Sequence, residues 1–166
     1  MRKFVACLAG RSTPLLGGAQ RGLPVSANKA IVRVMQHAWN QRDWATYEAQ
    51  FADSIRWSKF PYETYVSRAE YVSVIKGIVD TFPDWTVTIE RLVAEDDWVS
   101  ERSRFKGTHL AAAQSPHHGD LRHVAPTGKV VEVWQSHYWR IRDGVIVEHE
   151  AVRDDLGIFR QLGLLA

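Results

Sequence analysis

Three carboxylates, an imidazole and a carboxamide fall on what reads as one face of a hairpin near the C-terminus, where they could move protons on a bound molecule. Asp143-Gly144 separates two runs rich in Val, Ile, Trp and Tyr. An Asp-Gly pair between such runs signals a two-residue turn, because both central positions need positive φ. The turn sets Arg142 opposite Val145. A regular ladder then pairs Ile141 with Ile146, Trp139 with Glu148, His137 with Glu150, Gln135 with Val152 and Val133 with Asp154. Successive side chains alternate faces, so these residues share one. The other face carries Arg140, Tyr138, Ser136 and Trp134 against Val147, His149, Ala151 and Arg153. A face that mixes Glu148, Glu150, Asp154, His137 and Gln135 with Trp139 and four aliphatic side chains points to a lined cavity. The alternative is that Glu148 and Glu150 are solvated strand positions.

The elements that must hold this hairpin are legible upstream. Ser26 is placed to cap a first helix in which Ile31, Val34, Met35 and Ala38 recur at helical spacing. Asp43 can cap a second, short helix with Trp44, Tyr47 and Phe51 on one side, followed by strand-like alternation in SIRWS. Ser67 and Glu70 form a capping box ahead of a third helix, whose apolar stripe is Tyr71, Val74, Ile75, Ile78, Val79 and Phe82. Pro83 ends it. Strands follow at about 85–93 and 98–106, then a long loop at about 108–128, then the hairpin and a terminal helix. Helices gathered early and antiparallel strands late predict an α+β fold with one curved sheet packed on helices.

A chain of 166 residues with 45% apolar and 24% charged residues, and no run of about 18 apolar ones, fits one soluble domain and no membrane span. Seven tryptophans suit either a core or a cavity for a flat or apolar ligand. Cys7 is the only cysteine, so no intrachain disulfide can form. The net charge of +2 comes from Arg2, Lys3, Arg11 and Arg21, without which it would be −2. No basic patch in the body suggests nucleic-acid binding. Residues 1–25 read as an extension outside a domain spanning 26–166, and a targeting leader is the weaker alternative. A cytoplasmic location is the expectation.

FPDW at Phe82–Trp85, GTH at Gly107–His109, PTGK at Pro126–Lys129, YWRIRDGVIVEHE at Tyr138–Glu150 and DDLGIFRQLG at Asp154–Gly163 together resemble the SnoaL-like polyketide cyclase (ester cyclase) family, within the nuclear transport factor 2-like superfamily. The resemblance implies a cone-shaped α+β barrel, a strongly bent mixed sheet on three N-terminal helices with a short C-terminal helix. It also implies an apolar pocket, no metal or cofactor, and a small apolar or aromatic carbonyl substrate, and sheet-mediated homodimers are common in the superfamily. It implies intramolecular aldol-type ring closure with an aspartate as general acid/base, by position Asp154. Desolvation would raise the pKa of such a base towards working pH. Gln135 and His137 are the candidates to stabilise the enolate oxygen. Where the family usually has Trp, this chain has Glu150, either a second carboxylate on the cavity face or a cross-strand partner of protonated His137.

Trp57, Tyr62 and Tyr65 are expected to roof the pocket, with Trp139 and His109 also lining it, although core packing is the alternative for Trp57. His109, His117, His118 and His123 read as an exposed loop rather than a metal site, since no cysteine or i, i+4 helical spacing accompanies them. Two classes remain open: a cofactor-free enzyme, or a non-catalytic ligand-binding or interaction module of the same fold. Within the first class, a related hydrolase or isomerase is a further alternative.

Overall fold

The computed structural model describes residues 25–59, 62–113 and 121–165, so the expectations for the N-terminal extension and for His117 and His118 lie outside the described residues. The elements are α1 (Val25–Gln41), α2 (Trp44–Glu48), β1 (Phe51–Lys59), β2 (Tyr62–Ser67), α3 (Arg68–Thr81), β3 (Thr86–Glu95), β4 (Trp98–Thr108), β5 (Val130–Arg142), β6 (Val145–Arg153) and α4 (Asp155–Leu162). The strands form one six-stranded sheet in the order β2-β1-β6-β5-β4-β3. Every pairing is antiparallel except β1 with β6. The fold is the α+β arrangement expected, with β2 added where the sequence suggested only a connection to the third helix. None of the described helices is long and apolar enough to cross a membrane.

Local signals set most boundaries. Asp143 and Gly144 both have positive φ, 49° and 82°, as the two-residue turn requires. The Asp43 carboxylate accepts from Thr46 N–H at 3.1 Å and the Ser67 hydroxyl accepts from Glu70 N–H at 3.2 Å, which caps α2 and α3. α1 begins at Val25, one residue ahead of the expected cap at Ser26.

One feature overrides the regular ladder. β5 and β6 pair Ile141 with Ile146 but Arg140 with Glu148, so Val147 is an extra residue on β6. Such a bulge reverses the alternation beyond it. The partners of Trp139, His137 and Gln135 are therefore His149, Ala151 and Arg153. Glu148 and Glu150 turn to the opposite face, beside Arg140 and Tyr138.

The family-like motifs meet in one structural knot at the far end of β4. A side chain at Gly107 would place its Cβ 2.6 Å from Trp85 Cε3, so glycine lets β4 run against the indole. The Asp84 carboxylate accepts from Thr108 N–H at 2.6 Å and Thr108 Oγ1 at 2.7 Å. Lys129 Nζ donates to Leu162 O at 2.9 Å, and Gln161 brackets the backbone of Glu132, which ties α4 to β5.

Candidate active site in the interior of the sheet

The inner face of β5 and β6 carries a continuous line of polar contacts. Gln135 Oε1 lies 3.1 Å from His137 Nε2, and His137 Nδ1 lies 2.8 Å from His149 Nε2. His149 Nδ1 in turn lies 2.7 Å from the Tyr71 hydroxyl of α3, which is hydrogen-bonded to Tyr47 of α2. Each imidazole therefore has both nitrogens engaged, which holds its ring plane and couples its tautomer to its neighbour's. Trp139 lies flat against both, with ring centroids 5.3 Å from His137 and 4.0 Å from His149 and interplanar angles of 6° and 9°.

Glu101 of β4 stands opposite His137 in the β4–β5 ladder and is 0% exposed. Gln36 Nε2 of α1 donates to both of its oxygens at 3.0 Å, and Trp139 Nε1 donates to Oε2 at 2.8 Å. The Ser103 hydroxyl, two residues along the same strand, donates to Oε1. Three donors from three elements thus satisfy a carboxylate with no ion-pair partner among the described residues.

The line from Gln135 to Tyr71 borders a cavity of about 50 Å³. Gln36, Tyr47, Tyr71, Gln135, His137 and His149 supply its polar wall, and Trp39, Ile75, Ile78, Val87, Phe105 and Trp139 its apolar one. Burial pushes the His137 pKa below the usual histidine value; Glu101 opposes that shift, whereas Arg153 adds to it. Burial pushes His149 well below, and proximity to His137 lowers it further. Burial raises the Tyr47 and Tyr71 phenols. Both imidazoles are therefore neutral at neutral pH, and both phenols keep their protons. Neutral imidazoles can accept or donate a proton according to tautomer, which is the requirement for acid/base chemistry.

The structure brings His137, Gln135 and Trp139 together and separates the other residues that the sequence proposed. Asp154 is exposed and is the N-cap of α4, its Oδ1 accepting from Gly157 N–H at 2.7 Å. That corrects the expectation of Asp154 inside the pocket. A strand-end aspartate just before a helix meets orphan amides first. Glu150 lies on the outer face beside Tyr138, in an open groove with Val93, Trp98 and Ser100, because the Val147 bulge reversed the strand. It is neither a cavity carboxylate nor a partner of His137.

Tyr65 is 73% exposed on β2 and roofs nothing. Tyr62 pairs with Lys59 through the backbone, and its side chain lies outside the described residues. Trp57 is core, packed edge-on to Tyr71 at 5.4 Å and absent from the cavity wall. His109 is buried in the motif knot, its Nδ1 accepting from Thr127 N–H at 3.3 Å and contacting Thr127 Oγ1 at 3.2 Å. Among the described residues no three His, Cys, Asp or Glu side chains gather as a metal site.

Reasoning from sequence missed His149, Tyr71, Tyr47, Gln36 and Glu101. A usable signal existed for Glu101: in WVSERSRFKGT the alternation puts it on one face with Val99, Ser103 and Phe105. A carboxylate on an apolar strand face needs buried donors. No such signal existed for His149, since the regular hairpin ladder assigns it to the wrong face.

A model of the SnoaL-like polyketide cyclase family matches residues 29–162. A search of curated proteins returns no significant match. Among solved structures, the chain is similar to AclR from Streptomyces galilaeus, provisionally assigned as a hydroxylase, with 28% identity and a TM-score of 0.72 over 86% of this chain and 100% of that one. It is similar to IdmH from Streptomyces antibioticus, provisionally assigned as a polyketide cyclase, with 27% identity and a TM-score of 0.66 over 82% and 98%. A SnoaL-like protein from Jannaschia sp. CCS1 shares 18% identity and a TM-score of 0.73 over 90% and 100%, a likeness of fold alone. With its bent six-stranded mixed sheet closed over helices, the chain belongs to the SnoaL-like polyketide cyclase family.

Proposed function

We propose that this protein is a cofactor-independent acid/base enzyme that removes a proton beside a carbonyl and closes a ring by aldol-type addition, with His137 in the role the sequence suggested for Asp154. The observation that carries this reading is the line of contacts Gln135–His137–His149–Tyr71 on the wall of a buried cavity. AclR and IdmH carry different provisional assignments on one fold, so the reaction is argued from the site.

The line of contacts has two settings. With the Gln135 oxygen towards His137, Nε2 carries a proton, His149 Nε2–H donates to His137 Nδ1 and the Tyr71 O–H donates to His149 Nδ1. Turning the Gln135 carboxamide reverses every donor: His137 Nε2 is then bare, Nδ1–H donates to His149 Nε2, and His149 Nδ1–H donates to the Tyr71 oxygen. In the second setting a substrate that displaces Gln135 meets a free lone pair. The C–H bond breaks, its electrons move to the carbonyl oxygen, and the proton goes to Nε2. The displaced Gln135 amide N–H donates to that oxygen. After the enolate carbon adds to the second carbonyl, Nε2–H returns its proton to the new alkoxide, and the enzyme is restored.

The test is α-deuterium wash-in from D2O into cyclohexanone and 2-tetralone, followed by mass spectrometry, as a probe of proton abstraction. Exchange above the buffer rate that falls by ~10²-fold or more in His137→Phe is expected. Exchange unchanged in that variant would sink the proposal. A second reading, a ligand-binding module, draws on the capping role of Asp154, which leaves that carboxylate outside the cavity. It requires these ketones to raise Tm with no exchange at all.

A further inference from the structure

A buried carboxylate without a cation is expensive unless the site supplies positive charge at some stage. Glu101 is such a group: fully buried, held by Gln36, Ser103 and Trp139, and facing no lysine or arginine ion pair among the described residues. Its neighbour across the ladder is His137, the group that becomes an imidazolium when it takes a proton. The second route from Glu101 to the imidazoles is the indole of Trp139. That ring gives its N–H to Glu101 and lies parallel to His137 and His149, at 5.3 and 4.0 Å. An indole whose N–H is held by an anion is more electron-rich on its face, and an electron-rich face attracts a cation stacked on it.

We propose that Glu101 is the positioning residue of the imidazole pair: through its place opposite His137 and through the Trp139 indole, its carboxylate stabilises the positive charge that forms when the pair takes up a proton. The inference deepens the acid/base reading and rests on it for its catalytic meaning. Stabilisation of the protonated pair by Glu101 needs no substrate. Glu101 takes no part in bond making, because Gln36 and Trp139 stand between it and the cavity.

The charged and titratable groups facing the pair are Glu101 from β4, Arg153 from β6 and Tyr71 from α3, with Tyr47 from α2 behind Tyr71. Glu101 favours the protonated pair, whereas Arg153 and burial oppose it. The signs therefore separate by substitution. Glu101→Gln should make protonation harder, and Arg153→Gln should make it easier.

The experiment is a side-chain 15N NMR titration of His137 and His149 in the full chain, without ligand, for the wild type, Glu101→Gln and Arg153→Gln. The wild-type pair is expected to take up one proton before acid unfolding. In Glu101→Gln the same protonation should need about tenfold more acid or more, equivalent to one pH unit, and Arg153→Gln should shift in the opposite sense. If Glu101→Gln does not fold, Trp139→Phe keeps a ring on the imidazoles and removes the N–H, and should shift protonation in the same direction as Glu101→Gln. A wild-type pair that stays neutral until unfolding, or a titration unmoved in Glu101→Gln, or in Trp139→Phe where that variant stands in, overturns the proposal. Because no substrate is used, failure here is distinct from failure of ketone exchange, which would sink the catalytic reading alone.

Discussion

His137 Nδ1 and His149 Nε2 face each other at 2.8 Å across two strands whose regular ladder would have put them on opposite sides of the sheet. The single extra residue at Val147 makes the pair. The same residue turns Glu148 and Glu150 to the opposite face of the sheet, where Glu148 is buried against Arg56 and Arg140, so the bulge replaces carboxylates with an imidazole on the cavity side.

That pair makes stability depend on pH with a definite sign. Burial holds both folded imidazoles below the usual histidine pKa, whereas the unfolded chain protonates near 6.5. Below about pH 6.5 the unfolded state binds more protons, so stability falls as pH falls, until the folded pair itself protonates. Above that pH the pair adds no pH dependence. Each imidazole contributes a slope of about 1.4 kcal/mol per pH unit within this window. Urea unfolding at several pH values between about 5 and 7.5 should show a shallower slope in His149→Phe than in the wild type, and equal slopes would contradict the assignment.

Asp154 is expected to act on stability and not on proton transfer. Asp154→Ala removes the cap of α4 and should cost about 1 kcal/mol, whereas Asp154→Asn keeps a capping oxygen and should cost a few tenths. Ketone exchange per folded molecule should be unchanged in both. Loss of exchange in a folded Asp154→Asn variant would return the catalytic role to this residue.

Glu150 provides the matching control on the outer face. Glu150→Ala should change stability by less than about 0.5 kcal/mol, as for other surface positions, and leave the histidine titration where it is. A shifted His137 titration would show that the strand alternation differs from the bulged one.

Gly107 reports on the motif knot. Its missing Cβ would stand 2.6 Å from Trp85 Cε3 and 3.2 Å from Phe82 Cβ. Gly107→Ala should therefore destabilise by about 1–3 kcal/mol, the usual range for overpacking. Thermal unfolding checks this, with Gly128→Ala as a comparison at a position strained by its backbone but open around it.

Much of this protein is written locally. The positive φ values of Asp143 and Gly144, the caps from Asp43 and Ser67, and the end of α3 ahead of Pro83 each depend on a few adjacent residues. Gln135, His137 and Trp139 were also placed correctly, because they share β5, where alternation runs unbroken to the turn. Glu101 was within reach of the same rule on β4. What sequence alone determined was thus the order of every element except β2, the α+β class, and the inner face of β5.

Tertiary structure decided which face β6 presents. Pairing of β6 with β1 is parallel and non-local, runs from Phe51 opposite Ile146 to Ser58 opposite Glu150, and is itself irregular between Phe51 and Arg56. A hairpin read by itself contains no term for that second neighbour, so neither the bulge nor the inward face of His149 follows from it. β2 is a different case, because its pairing with β1 is local, Lys59 opposite Tyr62, but lacks the Asp-Gly signal that marks the β5–β6 hairpin. Asp154 shows the converse: the short-range hydrogen bond to Gly157 claimed a side chain that the family pattern had sent into the pocket. Local rules specify elements because their energies depend on neighbours in the chain, but a buried site is assembled from contacts between strands, and one added residue in a ladder reassigns every side chain beyond it.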